Sequence, residues 1–116
     1  MQLKYEHKIL SAALGGMKEK FVISFMGSSV TAGHDTKFEL SFPILTGKVM
    51  EAPFKMLDIE LQSYNVAMGN NPCLPYDTCV HAFAGKDADI VHWEQSFNCG
   101  EDDGNKKVEF EQFIRL

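Results

Sequence analysis

Phe21-Val22-Ile23-Ser24-Phe25-Met26-Gly27-Ser28-Ser29-Val30-Thr31-Ala32-Gly33-His34-Asp35 is the stretch on which the fold turns. Phe21 to Met26 carries no charge and is rich in β-branched and aromatic residues, the pattern of a strand covered on both faces, as parallel strands are. Gly27 and Gly33 then bracket two serines and a threonine, residues that let backbone approach a ligand or cap a helix start. A strand entering such a turn presents a hydroxyl together with free backbone N–H groups. That combination suits a serine nucleophile with oxyanion stabilisation, or an anion-binding loop.

Working outward, 116 residues fit one compact domain, residues 1–116, of ordinary globular composition. The formal charge is −5, and only 11 Lys and Arg are spread along the chain. Phosphate backbones need clustered cations, so no nucleic-acid partner is expected. No apolar run approaches the ~20 residues of a membrane span. Leu3, Tyr5, Ile9, Leu10, Ala13, Leu14 and Met17 give residues 1–18 the spacing of an amphipathic helix, with Gly15-Gly16 near its end. A packing helix is expected there rather than a secretory signal, because Lys18, Glu19 and Lys20 follow directly without a persuasive cleavage site.

Beyond the turn, Val30 to about Met50 reads as largely helical, with Phe38, Leu40, Phe42, Ile44, Leu45 and Val49 as core candidates and Pro43 as a break or a start. Ala52-Pro53 marks a boundary. Leu57, Ile59 and Leu61 alternate with Asp58, Glu60 and Gln62, the period of a half-exposed edge strand within 57–66. Gly69 to Cys79 is rich in turn formers and should be an irregular loop entering a helix near Pro75. A short helix over 76–83, a turn at Gly85-Lys86-Asp87, a strand from Ile90 to Glu94 and an acidic loop over 99–105 follow. Val108, Phe110, Phe113 and Ile114 give a last helix its apolar face. Alternating strands and helices imply a parallel sheet with right-handed crossovers.

Gly27-Ser28-Ser29-Val30-Thr31-Ala32-Gly33 resembles the first block of the SGNH (GDSL-type) hydrolases, Gly-Asp-Ser-x-Thr-x-Gly, with Ser28 where the block has Asp and Ser29 in the nucleophile position. A strand ending at Asn65, followed by Gly69, is similar to the second block. Asp89-Ile90-Val91-His92-Trp93-Glu94-Gln95-Ser96-Phe97-Asn98 is similar to the third, with Ser96 in place of a Gly and Cys99 in place of an Asp. Together these blocks resemble a divergent, algal-like branch of that family. The resemblance implies an α/β fold, a three-layer flavodoxin-like parallel sheet, here about three of the usual ~five strands. It also implies a serine esterase or acyl hydrolase acting on a small ester or acylated substrate, without a cofactor. Ser29 would be the nucleophile; its own N–H, that of Gly69 and the Asn98 side chain would form the oxyanion hole. Read individually, Ser29 could instead cap a helix, Gly69 serve a turn and Asn98 satisfy loop backbone.

The family's fourth block, Asp-x-x-His, supplies the base, and nothing between Gly100 and Leu116 matches it. His7, His34, His81 and His92 fall elsewhere, so no complete triad is expected within the chain. Two functions follow. One is an esterase whose base comes from a further segment or a second chain; the other is a non-catalytic SGNH-like domain serving as a binding or structural subunit. An uncovered strand edge invites pairing, so a homo-oligomer or a subunit of a complex is expected. A phosphate-binding module at Gly27–Gly33 is a third reading, lacking both the Walker lysine and the Gly-x-Gly-x-x-Gly fingerprint. Cys73 and Cys79 could bridge, leaving Cys99 free or paired between chains and indicating a secretory or extracellular setting; three thiols in a reducing compartment is the alternative. Cys and His spacing fits no zinc pattern, and Asp102-Asp103-Gly104 lacks EF-hand spacing, so no metal is expected.

Overall fold

The computed structural model describes residues 2–15, 19–95, 98–99, 108 and 111–114. Its centre is β1 (Glu19–Gly27), buried at every position from Phe21 to Gly27. A strand so apolar must be covered on both faces and flanked on both edges. It pairs in parallel with β2 (Ile59–Asn65) on one side and β3 (Ile90–Glu94) on the other, in the order β2-β1-β3. Phe21 stands opposite Leu61 and Phe25 opposite Asn65, while Ile23 faces Ile90 and Gly27 faces Glu94.

Side chains alternate across the sheet, so β1 feeds two cores. Phe21, Ile23 and Phe25 join Phe54 and Ile59 beneath α1 (Gln2–Ala13) and α3 (Phe42–Met56), with Ile9 and Ala12 packed on them. Met26 joins Tyr76, Val80 and Ala84 beneath α4 (Cys73–Tyr76) and α5 (Val80–Ala84). Each fully buried side chain of this size contributes roughly 1.5–3 kcal/mol. The Lys8 ammonium ties α1 to the sheet through Asp89, 2.6 Å away. Because β2 and β3 lie on opposite sides of β1, two right-handed crossovers must put their helices on opposite faces, and they do. The result is a three-layer α/β sheet of flavodoxin-like order, as expected. The chain's direction reverses at the carboxyl ends of β1 and β3, where such folds open a crevice.

Several local expectations are corrected. Residues 30–50 are not one helix: α2 (Ser29–Ala32) is stopped by Gly33 in the left-handed region at φ 82°, and a 3-10 turn covers Phe38–Leu40. Ala52-Pro53 is no boundary. Pro43 starts α3, which continues through Pro53 because Phe54 is buried against Phe21, ring centroids 5.1 Å apart. Of the core candidates, Phe38, Leu40, Phe42, Leu45 and Val49 are exposed and Ile44 is half-buried. The helix turns Pro43, Gly47 and Phe54 inward instead; a Cβ on Gly47 would come within 2.7 Å of Ser63 Cβ. Leu10 and Leu14 likewise face outward.

The second crossover is shorter than expected. Its helix starts at Val80, not Tyr76, after α4 kinks at Leu74 and Pro75. Cys73 bridges Cys99, Cα atoms 5.1 Å apart, rather than Cys79. Cys73 is buried at the start of α4, whereas Cys79 is exposed and unbridged. Val108 and residues 111–114 are helical, and Phe113 stacks on Trp93 at 4.5 Å. Ser96, Phe110 and the 102–104 turn lie outside the described residues.

Candidate functional site

At the end of β1 the chain reverses under tight constraint. The Ser28 N–H donates to the Glu94 carbonyl at 2.8 Å, joining the turn to the end of β3. Glu94 Oε2 accepts from Ser28 Oγ at 2.6 Å, from Thr31 Oγ1 at 3.0 Å and from the Ser28 N–H at 3.3 Å. Ser28 Oγ in turn accepts from the Val30 N–H at 3.3 Å, so Ser28, and not Ser29, caps α2. Gly27 is required by proximity, because a Cβ there would lie 2.6 Å from Thr31 Cβ and 2.8 Å from the Glu94 carbonyl. Ser28 is buried with its hydroxyl committed, whereas Ser29 is half-buried at the start of α2.

The end of β2 is drawn to the same place. Val66 and Met68 donate backbone N–H groups to Phe25 O and Gly27 O, extending the pairing beyond Asn65 and delivering Gly69 beside the turn. Asn65 Nδ2 donates to the Thr31 carbonyl at 3.1 Å and to Ser41 Oγ at 3.2 Å, pinning α2 from below. Gly69 is needed for close approach: a Cβ would fall 2.5 Å from His34 Nε2. His34 donates its own N–H to Ser29 O at 3.1 Å. Its imidazole therefore bridges the end of α2 and the Gly69 loop.

Asn98 lies four residues past β3. Its N–H bonds Gln95 O at 3.0 Å, and its Nδ2 donates to Asn71 O at 3.0 Å across an open cavity of about 320 Å³ lined by Asn70, Asn71, Pro72 and Asn98. An amide nitrogen carries two donor hydrogens, so one remains after this bond. Thus the sequence-selected residues all sit beyond strand carboxyl ends: Ser29 after β1, Gly69 after β2 and Asn98 after β3.

The remaining histidines lie elsewhere. His7 and His81 are exposed on α1 and α5. His92 is within β3, its ring 5.3 Å from Phe25 and 5.5 Å from Phe42, and its buried Nδ1 has no hydrogen-bond partner among the described residues. Among the described residues no group of three or more His, Cys, Asp and Glu could hold a metal. Burial pushes the Tyr76 phenol above its ordinary value of 10.0, and its hydroxyl donates to Val66 O. Sequence reading missed the roles of Glu94, Asn65 and the Gly69–His34 contact. An acidic residue ending an otherwise apolar strand was the available signal for the first.

No family model matches the chain, and no curated protein matches it. Among solved structures, the fold is similar to that of a two-domain esterase active on acetylated mannans and co-crystallised with mannopentaose. The TM-score is 0.76 at 19% identity, over 100% of this chain and 31% of that one. The likeness is one of fold, and this chain spans about a third of that esterase's length. No described helix is long and apolar enough to cross a membrane.

Proposed function

We propose that the chain is an SGNH-like domain derived from a serine esterase or acyl hydrolase, with its site at Ser29 and its catalytic base supplied from outside the described residues. The observation that carries this reading is that Ser29, Gly69 and Asn98 each follow the carboxyl end of one of three adjacent strands, in a fold shared with an esterase. In the proposed reaction Ser29 Oγ attacks the carbonyl of a small ester or acylated substrate as the base removes its proton. The N–H groups of Ser29 and Gly69 and the spare Asn98 hydrogen receive the oxyanion, collapse expels the alcohol with the proton returned by the base, and water activated by the same base then hydrolyses the acyl-serine. Such donors contribute about 2.7–4 kcal/mol each when they face the developing charge.

A second reading is a non-catalytic binding or structural subunit of a larger assembly. It is favoured by the histidine positions: His7 and His81 are exposed on outer helices, His92 is packed among aromatic rings, and the exposed His34 ring lies against Gly69 with no hydrogen bond to Ser29 Oγ among the described residues. A serine hydroxyl without a base is a poor nucleophile at neutral pH. In this reading the chain works as a homo-oligomer or docked on another subunit.

Hydrolysis of aryl acetates and of acetylated manno-oligosaccharides by the wild type and Ser29→Ala, beside fluorophosphonate labelling, separates the two. Turnover or labelling that disappears with Ser29→Ala supports the esterase-derived site. Folded proteins that both match the buffer blank, in an assembly at least twice the monomer mass, support the subunit.

A further inference from the structure

We propose that Glu94 is the positioning residue for the turn that carries Ser29, and that Ser28 must remain an uncharged hydrogen-bond donor to it. Three donors converge on one Glu94 oxygen: Ser28 Oγ, Thr31 Oγ1 and the Ser28 N–H, at 2.6, 3.0 and 3.3 Å. An ionised carboxylate is an acceptor only, so both hydroxyls must point their hydrogens at it. The Ser28 hydroxyl then has only its lone pairs to offer on its other side, and there it accepts from the Val30 N–H. The charge on Glu94 therefore fixes the polarity of the whole chain, Val30 N–H to Ser28 Oγ to Glu94. None of these bonds uses the Ser29 N–H. Residue 94 can reach the turn because Gly27 stands opposite it in the parallel register and lacks a side chain.

This arrangement accounts for Ser28 standing where the resembled motif has an aspartate. A carboxylate at position 28 would meet the carboxylate of Glu94 in a buried corner, and two like charges at hydrogen-bond distance cannot both stay ionised. The negative charge of the turn sits on β3, and residue 28 carries its complement. The inference rests on the Ser29 reading only for its reactivity arm.

The test is a set of four variants: Ser28→Asp, Ser28→Asn, Glu94→Gln, and Ser28→Asp combined with Glu94→Gln. Readouts are the fluorophosphonate labelling rate of Ser29, the amide signals of Ser29 to Ala32 in 1H–15N spectra, and the unfolding midpoint. Ser28→Asp is expected to lower labelling about tenfold or more and to displace those amide signals, because it sets charge against charge. Ser28→Asn keeps one donor and one acceptor and should stay within about threefold of wild type. The combined variant, with the pair's polarity inverted, should recover to the level of Glu94→Gln alone. If Ser28→Asp does not fold, recovery of folding in the combined variant is the same result. The proposal is overturned if Ser28→Asp is harmless, if Ser28→Asn is equally damaged, or if the combined variant is no better than Ser28→Asp. Should the wild type prove unreactive toward the probe, the Ser29 reading fails by itself. The amide signals and midpoints then decide Glu94.

Discussion

Two polar corners lie at the carboxyl end of this sheet, and they are built in opposite ways. At the β1 turn, Glu94 accepts from two hydroxyls and a backbone N–H, and every bond crosses from one element to another. At the disulfide corner, Asp77 is fully buried with neither carboxylate oxygen hydrogen-bonded among the described residues, and buried Gln95 leaves both amide atoms unpaired. Each sits one backbone bond from the bridge: Asp77 N–H donates to Cys73 O, and Cys99 N–H to Gln95 O. The first corner holds its shape by satisfied polar groups. The second carries unsatisfied ones, each costing on the order of 1–3 kcal/mol, and is held by a covalent bond.

Breaking the covalent bond should therefore produce the largest effect. The bridge spans 26 residues, and opening a loop of that length costs about 3.5 kcal/mol in the chain-entropy account. Urea unfolding of Cys99→Ser, or of the wild type with and without reductant, measures it. The disulfide corner should loosen first, with the Ser29 to Ala32 amides unchanged; identical midpoints would show that the bridge carries no stability.

Next comes Gly27→Ala, which attacks the other corner. The added methyl meets the Thr31 side chain and the Glu94 carbonyl, and one of those is backbone that cannot swing aside. Overpacking of this kind costs about 1–3 kcal/mol, and the upper half of that range is expected. A variant as stable as wild type would mean the turn has more room than its contacts indicate.

The sharpest contrast pairs two conservative changes of opposite sign. Glu94→Gln removes the charge that orders two hydroxyls and should lose about 1 kcal/mol. Asp77→Asn replaces a buried carboxyl that has no partner among the described residues with a neutral group of the same shape and should gain about 1 kcal/mol. Calorimetry of both at neutral pH is sufficient. If both variants lose stability, Asp77 has a favourable partner and the two corners are alike.

How much of this was legible in the sequence depends on the range of the interactions that decide it. The buried strand at Phe21–Met26 and the strand at Ile90–Glu94 were read closely because an apolar run between turn formers is a local signal. Ser29, Gly69 and Asn98 were singled out by the resemblance to the SGNH blocks, and each lies beyond a strand end. What failed was non-local. The bridge joins Cys73 to a residue 26 positions away in preference to Cys79, a choice made by which sulfur the fold buries. Glu94 meets Ser28 across 66 residues through the β1–β3 register; its place at the end of an apolar strand is a local signal, but which residue it meets is not.

The outward face of α3 gives the smallest expected effect. Leu45, Val49 and Met56 follow one another at four and seven residues, which at 3.6 residues per turn forms one stripe. From composition this stripe looks like a core. It is exposed because the opposite side, through Pro43, Gly47 and Phe54, is the one that fits against β2 and β1. Val49→Lys should therefore change stability by less than about 0.5 kcal/mol, since Val49 is 74% exposed and lysine is the better helix former. An unfolded variant would show that the stripe is covered. A stable variant whose apparent mass falls to that of a single chain would show that the cover is another copy.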